Sequence, residues 1–203
     1  MKLRTIAYID GFNLYHAVKD LNRPELKWVN LWSLSESLLR KNETLQAVKY
    51  FSAYATWIPD AYARHRRYTK ALMAEGCDLV LGRFKDKHLI CHKCGRRYTT
   101  KEEKETDVNI AIHLVADGLH DHYDRAILIT ADTDLSTAVD MARHHLPDKE
   151  IFVVAPPGRM QRARGLHHKY ELKPGRLVNH LLKDEYRDES GKVIATRPET
   201  YKK

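Results

Sequence analysis

Aspartates follow two apolar runs that predict strands of one sheet. Asp10 follows the run at residues 5–9, and Asp132 and Asp134 follow the run at residues 126–130. In open α/β sheets, ligands bind beyond the carboxyl ends of the parallel strands, so we expect these three carboxylates to share one edge. Such a cluster predicts a cation site and metal-assisted chemistry on a phosphate group.

Asp107 adds a fourth carboxylate at the predicted start of a helix over residues 108–119. Clustered carboxylates repel one another and cost free energy unless a cation neutralises them. Hard oxygen ligands of this kind suit Mg²⁺ or Mn²⁺. Taken singly, an aspartate could instead cap a helix, as Asp134 could for a helix that begins at Leu135. The joint occurrence at matching positions favours a shared metal site.

Polar residues in the same segments could support this site. Asn13 can cap the helix after Asp10 or place its amide beside the carboxylates. Thr130 and Thr133 carry hydroxyls that can hold a metal-bound water or contact a substrate. The candidate catalytic residues are Asp10, Asn13, Asp107, Asp132 and Asp134. The mechanism expected here is attack on phosphorus by a metal-activated water, with no need for a histidine base.

Strand-like and helix-like runs alternate along the chain, which indicates an α/β fold with a mostly parallel sheet of about five strands. The strand-like runs lie at residues 4–9, 45–56, 77–84, 125–130 and 150–155. The domain is predicted to span residues 1–182 and to include a hairpin at residues 86–100. Residues 183–203 are polar, lack helical periodicity and are predicted to be a C-terminal tail, either disordered or lying as an arm against another surface.

The bulk composition is that of a globular chain, and its basic charge favours a polyanionic partner over a basic surface without one. The 203 residues carry a formal net charge of +8, which fits RNA or DNA. No apolar stretch approaches the roughly 18 residues of a membrane span, so no membrane association is expected. The N-terminus runs directly into a strand-like segment without a signal region, which predicts a cytoplasmic protein.

Cys91 and Cys94 flank a two-residue turn followed by Gly95, a pattern typical of a zinc knuckle. A closed structural zinc site needs four ligands, and the chain has no second pair of this kind. His88, His92 or a second protomer could complete the site. The alternatives are a redox-inert thiol pair and the remnant of a lost metal site.

A basic segment follows the last strand-like run and leaves the same predicted sheet edge as the aspartates. Its arginines Arg159, Arg162 and Arg164 are candidate contacts to the phosphates of a nucleic acid, together with Thr130 and Thr133. An ordinary solvated charged face is the alternative.

Three ordered motifs resemble the NYN domain, a branch of the PIN-like nuclease superfamily. They are Tyr8-Ile9-Asp10-Gly11-Phe12-Asn13-Leu14-Tyr15, Glu103-Lys104-Glu105-Thr106-Asp107-Val108-Asn109-Ile110-Ala111 and Ile129-Thr130-Ala131-Asp132-Thr133-Asp134-Leu135. The resemblance is closest to bacterial LabA-like NYN proteins. The chain departs from the family at Ala131, where a glycine is common.

The resemblance implies a three-layer α/β/α sandwich and a metal-dependent ribonuclease, with cleavage inside the RNA chain as the favoured mode. Family metal ligands fall on the four aspartates named above, and the supporting polar residue falls on Asn13. Single-stranded RNA is the expected substrate, DNA is a second candidate, and PIN-like proteins often form homodimers. Two other readings stay open: a catalytically weak nucleic-acid-binding regulatory module, and a phosphatase-like hydrolase.

Overall fold

The computed structural model of the chain describes residues 2–162, 164–167 and 170–202. The strands, in chain order, are β1 (Leu3–Asp10), β2 (Glu43–Ser52), β3 (Asp78–Leu81), β4 (Arg83–Ile90), β5 (Arg97–Lys104), β6 (Arg125–Ile129), β7 (Glu150–Ala155), β8 (Tyr170–Glu171), β9 (Glu185–Arg187) and β10 (Val193–Thr196). The α-helices are α1 (Gly11–Asp20), α2 (Leu31–Glu36), α3 (Pro59–Ala74), α4 (Thr106–Leu119), α5 (Ser136–His145) and α6 (Pro174–Val178). The alternation of strands and helices follows the apolar runs of the sequence.

Within the described residues, six strands form one parallel sheet in the order β3-β2-β1-β6-β7-β8. Ile9 of β1 lies opposite Ile129 of β6, so the two strands end side by side. The predicted α/β fold with a parallel central sheet is confirmed. The expected count of about five strands left out β8, because a two-residue strand has no apolar run of its own. Its residues pair with Val154 and Ala155 of β7.

Helices cover both faces of the sheet because successive strand side chains point to opposite faces. In β1, Ala7 and Ile9 join one buried cluster with side chains of α1, α2, α3 and α6. Ile6 and Tyr8 join the opposite cluster with side chains of α4 and α5. The architecture is therefore a three-layer α/β/α sandwich. None of the helices formed by the described residues is long and apolar enough to cross a membrane.

The hairpin of β4 and β5 forms a separate antiparallel sheet that is mostly exposed. It extends over residues 83–104 and is longer than the predicted hairpin at residues 86–100. The chain leaves the central sheet at Gly82, whose amide donates to the Ser52 carbonyl at 2.8 Å. A Cβ on Gly82 would lie 2.6 Å from the Lys104 carbonyl oxygen, so the two ends of the hairpin need glycine here.

The predicted C-terminal tail packs on the domain as an ordered arm. β9 and β10 pair as an antiparallel hairpin, and β10 lies against α3. Tyr186, Ala195 and Tyr201 are buried in the same cluster as α1 and α3. The Tyr186 hydroxyl donates to the Glu75 carboxylate at 2.6 Å. A few buried apolar side chains hold this segment against the domain. They are too widely spaced in the sequence to produce a helical pattern, so no local pattern indicated this packing.

Candidate metal centre

Asp10 lies at the carboxyl end of β1 and also caps the start of α1. Its Oδ1 accepts a hydrogen bond from the Asn13 amide at 3.0 Å, and its Oδ2 accepts one from the Thr130 hydroxyl at 2.7 Å. The side chain continues the face of Tyr8, which is the face covered by α4. The residue is only 3% exposed. The structure thus gives Asp10 both the cap role and the site position that the sequence left as alternatives.

Gly11 lets β2 pass close to the end of β1. A Cβ at this position would lie 2.5 Å from the Phe51 carbonyl oxygen and 2.7 Å from the Tyr50 ring. Such distances are closer than non-bonded atoms tolerate, so β2 can approach the end of β1 only if residue 11 is glycine. This close approach holds Asp10 at the edge of the sheet.

The loop after β6 is joined to the start of α1 by side-chain hydrogen bonds. The Ala131 amide donates to Asn13 Oδ1 at 2.9 Å. The Asp132 amide donates to the Thr130 hydroxyl at 3.0 Å, and the same hydroxyl contacts Asp10. Ala131 does not take a positive φ, which explains why alanine is tolerated where the family often has glycine.

Asp107 reaches the site from the first turn of α4. The helix begins after Glu105, whose backbone is left-handed with φ of 83° and whose side chain makes no capping hydrogen bond. Glu103 takes the capping role, because its Oε1 accepts hydrogen bonds from the Thr106 amide at 3.0 Å and from the Thr106 hydroxyl. Glu103 lies at the base of the β4–β5 hairpin, near the end of β5. The hairpin base therefore determines where α4 starts, and it thereby determines the position of Asp107.

Three of the four predicted aspartates come together at this point. One oxygen from each of Asp10, Asp107 and Asp132 lies within 4.8 Å of the others. Asp134 lies outside this trio, is exposed, and donates its amide to Asp132 Oδ1 at 3.0 Å. Its charge still acts on Asp107, because it contributes to the raised pKa of that carboxyl group. Asp134 therefore lies at the rim of the cluster.

The electrostatics of the cluster favour a cation. Burial raises the pKa of Asp10 to about 7, and the charges of Asp107 and Asp132 add to the rise, although the hydrogen bonds from Asn13 and Thr130 oppose it. Burial raises the pKa of Asp107 to about 6, with further contributions from Asp132, Glu103 and Asp134. The three clustered carboxylates, two of them with raised pKa values, are the hard oxygen ligands that Mg²⁺ and Mn²⁺ prefer. The residues present therefore fit such an ion.

The aspartates line a cavity of about 350 Å³ that also contains residues with no predicted role. Glu103 is a fourth acidic side chain of this cavity, and Phe12 and His16 form part of its wall. Sequence reasoning missed Glu103 as a site residue. Glu103 is the first residue of the motif at residues 103–111 that resembles the NYN family, and this is the local signal that could have found it.

The predicted substrate contacts differ in where the structure places them. Thr130 is fully buried and its hydroxyl is engaged by Asp10 and Asp132, so it positions the site and has no surface for a substrate. Thr133 is exposed. Arg159 lines the acidic cavity and forms an ion pair with Asp20. The side chains of Arg162 and Arg164 lie outside the described part of the structure.

Cys91 and Cys94 lie at the tip of the β4–β5 hairpin. The Gly95 amide donates to the Cys91 carbonyl at 2.8 Å, and Gly95 has a positive φ of 70°. Hydrogen bonds from the Cys94 and Lys93 amides lower the pKa of the Cys91 thiol, which favours a thiolate. Among the described residues, the aspartate trio is the one group of three or more possible metal ligands. Zinc at the cysteine pair thus lacks a third ligand here and stays a prediction.

The comparisons with known proteins agree with this site. A family model described as the NYN domain matches residues 4–168. The chain belongs to the NYN domain family. NYN domains have a PIN-like nuclease fold, and the acidic cluster lies inside the matched region.

This NYN protein also resembles individual proteins. It is 30% identical over 196 residues to 6-hydroxy-3-succinoylpyridine 3-monooxygenase HspA from Pseudomonas putida (strain DSM 28022 / S16), covering 79% of this chain and 62% of that protein. The chain therefore spans less than two thirds of the length of that relative. A crystal structure of a protein of unknown function from Vibrio parahaemolyticus RIMD 2210633 superposes with a TM-score of 0.56 at 18% identity. The match covers 89% of this chain and 97% of the Vibrio parahaemolyticus chain. At 18% identity it shows that the two folds are alike and nothing more.

Proposed function

We propose that this NYN protein is a metal-dependent ribonuclease that hydrolyses phosphodiester bonds of RNA at the aspartate cluster. The observation that carries the proposal is the convergence of Asp10, Asp107 and Asp132, which are far apart in sequence, within 4.8 Å of one another. The cluster lines an open cavity in a chain with a net charge of +8. Acidic ligands inside a basic protein fit a divalent ion and a polyanionic substrate.

Each side chain of the site has a definite task in this proposal. When bound, Mg²⁺ or Mn²⁺ lowers the pKa of a water molecule and offsets negative charge on the phosphate. Asp10, Asp107 and Asp132 hold the ion, and Asp134 adds negative charge at the rim. Asn13 and Thr130 keep the two loops in register, so the carboxylates stay at the spacing that the ion requires.

The β4–β5 hairpin is the surface that we assign to RNA contact. Residues 83–104 contain eight lysines and arginines and three acidic residues. Trp57 is 41% exposed, packs against Phe84 of the hairpin, and lies under Lys101 with 5.5 Å between Nζ and the ring centroid. Exposed aromatic rings beside cations suit stacking of unpaired bases, which favours single-stranded RNA. DNA, a homodimer and a cytoplasmic location remain predictions from the sequence.

The test of this function is hydrolysis of labelled single-stranded RNA with Mg²⁺ or Mn²⁺. We expect Asp132→Asn to reduce the rate by at least about 100-fold, because loss of a metal ligand removes several kcal/mol of transition-state stabilisation. Asp148→Asn changes an exposed acid outside the cavity and should keep the wild-type rate. Thermal unfolding of both variants checks that they fold.

Two outcomes of this assay contradict the proposal. One is wild-type turnover by Asp132→Asn. The other is the absence of RNA hydrolysis by the wild-type protein with either metal. RNA binding without hydrolysis would support the regulatory module, and release of phosphate from p-nitrophenyl phosphate would support the phosphatase-like reading.

A second candidate function comes from the relative named as a 3-monooxygenase, to which the chain is 30% identical. That name describes oxidation of a substituted hydroxypyridine, which needs oxygen and a source of two electrons. Oxygen uptake with 6-hydroxy-3-succinoylpyridine and an added reductant tests it. Uptake that survives Asp132→Asn would assign this activity to a site other than the aspartate cluster.

A further inference from the structure

A second cavity, of about 340 Å³, lies beside the aspartate cavity and has no role in the proposed hydrolysis of phosphodiester bonds. Phe12 and His16 line both cavities. Its wall is rich in aromatic rings, namely those of Tyr15, Tyr50, Tyr68 and Tyr201. This volume and apolar lining are typical of pockets for small organic ligands. Ring surfaces of this kind favour a planar aromatic group.

Neutral polar groups lie together in this wall. His65 Nε2 is 3.5 Å from the Tyr50 hydroxyl and 3.4 Å from the Ser52 hydroxyl, and all three residues line the cavity. Burial lowers the pKa of His65 to about 4, so the imidazole is neutral at pH 7. Both contacts are longer than a typical hydrogen bond, so they are weak. Uncharged donors and acceptors suit the polar edge of a heterocycle better than they suit an ion.

Cations line the same cavity. Lys27 Nζ lies 5.8 Å from the ring centroid of Tyr15 and 5.7 Å from that of Tyr201. Among the described residues, neither Lys27 nor Arg64 forms an ion pair with a carboxylate. Burial lowers the pKa of Lys27, and the nearby charges of Lys19 and Arg64 lower it further. A group of like charges without a carboxylate suits an anionic ligand.

We propose that this cavity binds one nucleotide of the RNA next to the phosphate that is cleaved. The base stacks on the tyrosine rings with its polar edge toward His65, and a phosphate lies against Lys27 and Arg64. The inference rests on the proposed function, because that function supplies the RNA. The wall shared through Phe12 and His16 favours a unit of a longer chain, since a polymer can occupy both cavities at once.

Calorimetry with 5′-mononucleotides tests the cavity separately from catalysis. The titrations use AMP, GMP, CMP and UMP in EDTA, with adenosine, inorganic phosphate and nicotinate as comparison ligands. We expect at least one mononucleotide to bind more tightly than adenosine or phosphate. Lys27→Ala and Arg64→Ala should each weaken that binding about tenfold, as expected for a lost charge-assisted contact. Arg67→Ala, an exposed arginine on the same helix outside this cavity, should change it less than about twofold.

A second measurement needs no variant. The ring signals of His65 in an NMR spectrum of the wild-type protein should shift when the mononucleotide is added. Absence of mononucleotide binding at millimolar concentration overturns the inference, as do wild-type affinities in both alanine variants. Binding of nicotinate without any mononucleotide also overturns it and assigns the cavity to a free aromatic acid.

The two proposals can fail independently. Mononucleotide binding in a protein that does not hydrolyse RNA would leave the cavity assignment standing and end the nuclease proposal. RNA hydrolysis without mononucleotide binding would leave the nuclease proposal standing and end the cavity assignment.

Discussion

At the scale of single residues, the site is governed by the protonation of Asp10. Its folded-state pKa of about 7 lies above the ordinary value of 3.8. A carboxyl group of this kind contributes stability that is fully present below pH 4 and is lost as the pH rises toward 7. Without metal, we expect this group to make the protein less stable at pH 8 than at pH 5 by a few kcal/mol.

A divalent ion should reverse this trend because it binds the ionised carboxylates. The rise in melting temperature caused by Mn²⁺ should therefore be larger at pH 8 than at pH 5.5. Thermal unfolding at both pH values, in EDTA and in Mn²⁺, measures the effect. Asp10→Asn keeps a capping oxygen but cannot ionise, so the pH dependence of its stability in EDTA should be smaller than that of the wild type, and the part due to Asp107 should remain. Equal stabilisation by Mn²⁺ at both pH values would argue against the cluster as a metal site.

At the scale of elements, the hairpin base controls the start of α4 through Glu103. This carboxylate accepts hydrogen bonds from the amide and the hydroxyl of Thr106, and the latter residue is 1% exposed. Glu103→Ala should cost about 1 kcal/mol, the usual effect of losing a helix cap. It should also weaken Mn²⁺ binding, because Asp107 lies in the turn that loses its cap.

Glu103→Gln is the matched control for this prediction. The glutamine oxygen can still accept both hydrogen bonds, so unfolding temperature and Mn²⁺ affinity should stay near those of the wild type. If the glutamine variant loses Mn²⁺ affinity as severely as the alanine variant, then Glu103 is itself a metal ligand and the capping account is wrong.

At the scale of the whole molecule, a buried ion pair ties strands together at the end of the sheet opposite the site. Arg125 of β6 donates to Glu43 of β2 at 2.9 Å across β1, and both side chains are almost fully buried. Glu43→Ala should cost about 3 kcal/mol, the lower end of the range for a broken buried pair, because Glu150 at 3.5 Å still offsets part of the Arg125 charge. Urea unfolding gives the loss of stability directly.

The ion pair should affect stability alone. Under conditions where Glu43→Ala is still folded, its rate of RNA hydrolysis should match that of the wild type, since Glu43 does not line the aspartate cavity. A double change of Glu43 and Arg125 to Leu and Met should recover much of the lost stability. A loss of less than about 1 kcal/mol in the free energy of unfolding of Glu43→Ala would show that the ion pair does not hold the strands together.

Local patterns in the sequence determined the central sheet and most of the site. The apolar runs before Asp10 and Asp132 are continuous because buried parallel strands are covered on both faces, and strand ends can be read from them. The NYN motifs indicated the same aspartates and the supporting Asn13. Such features depend on neighbouring residues, so they are visible without a structure.

Only the tertiary structure decided which side chains meet. It placed Glu103 in the acidic cavity and Asp134 at its rim, it buried Thr130, and it folded residues 183–202 onto α3. The tyrosine-lined cavity draws on α1, α3 and the C-terminal segment, and no local pattern joins them. Contacts between residues far apart in sequence depend on how layers pack, and packing is a property of the whole chain.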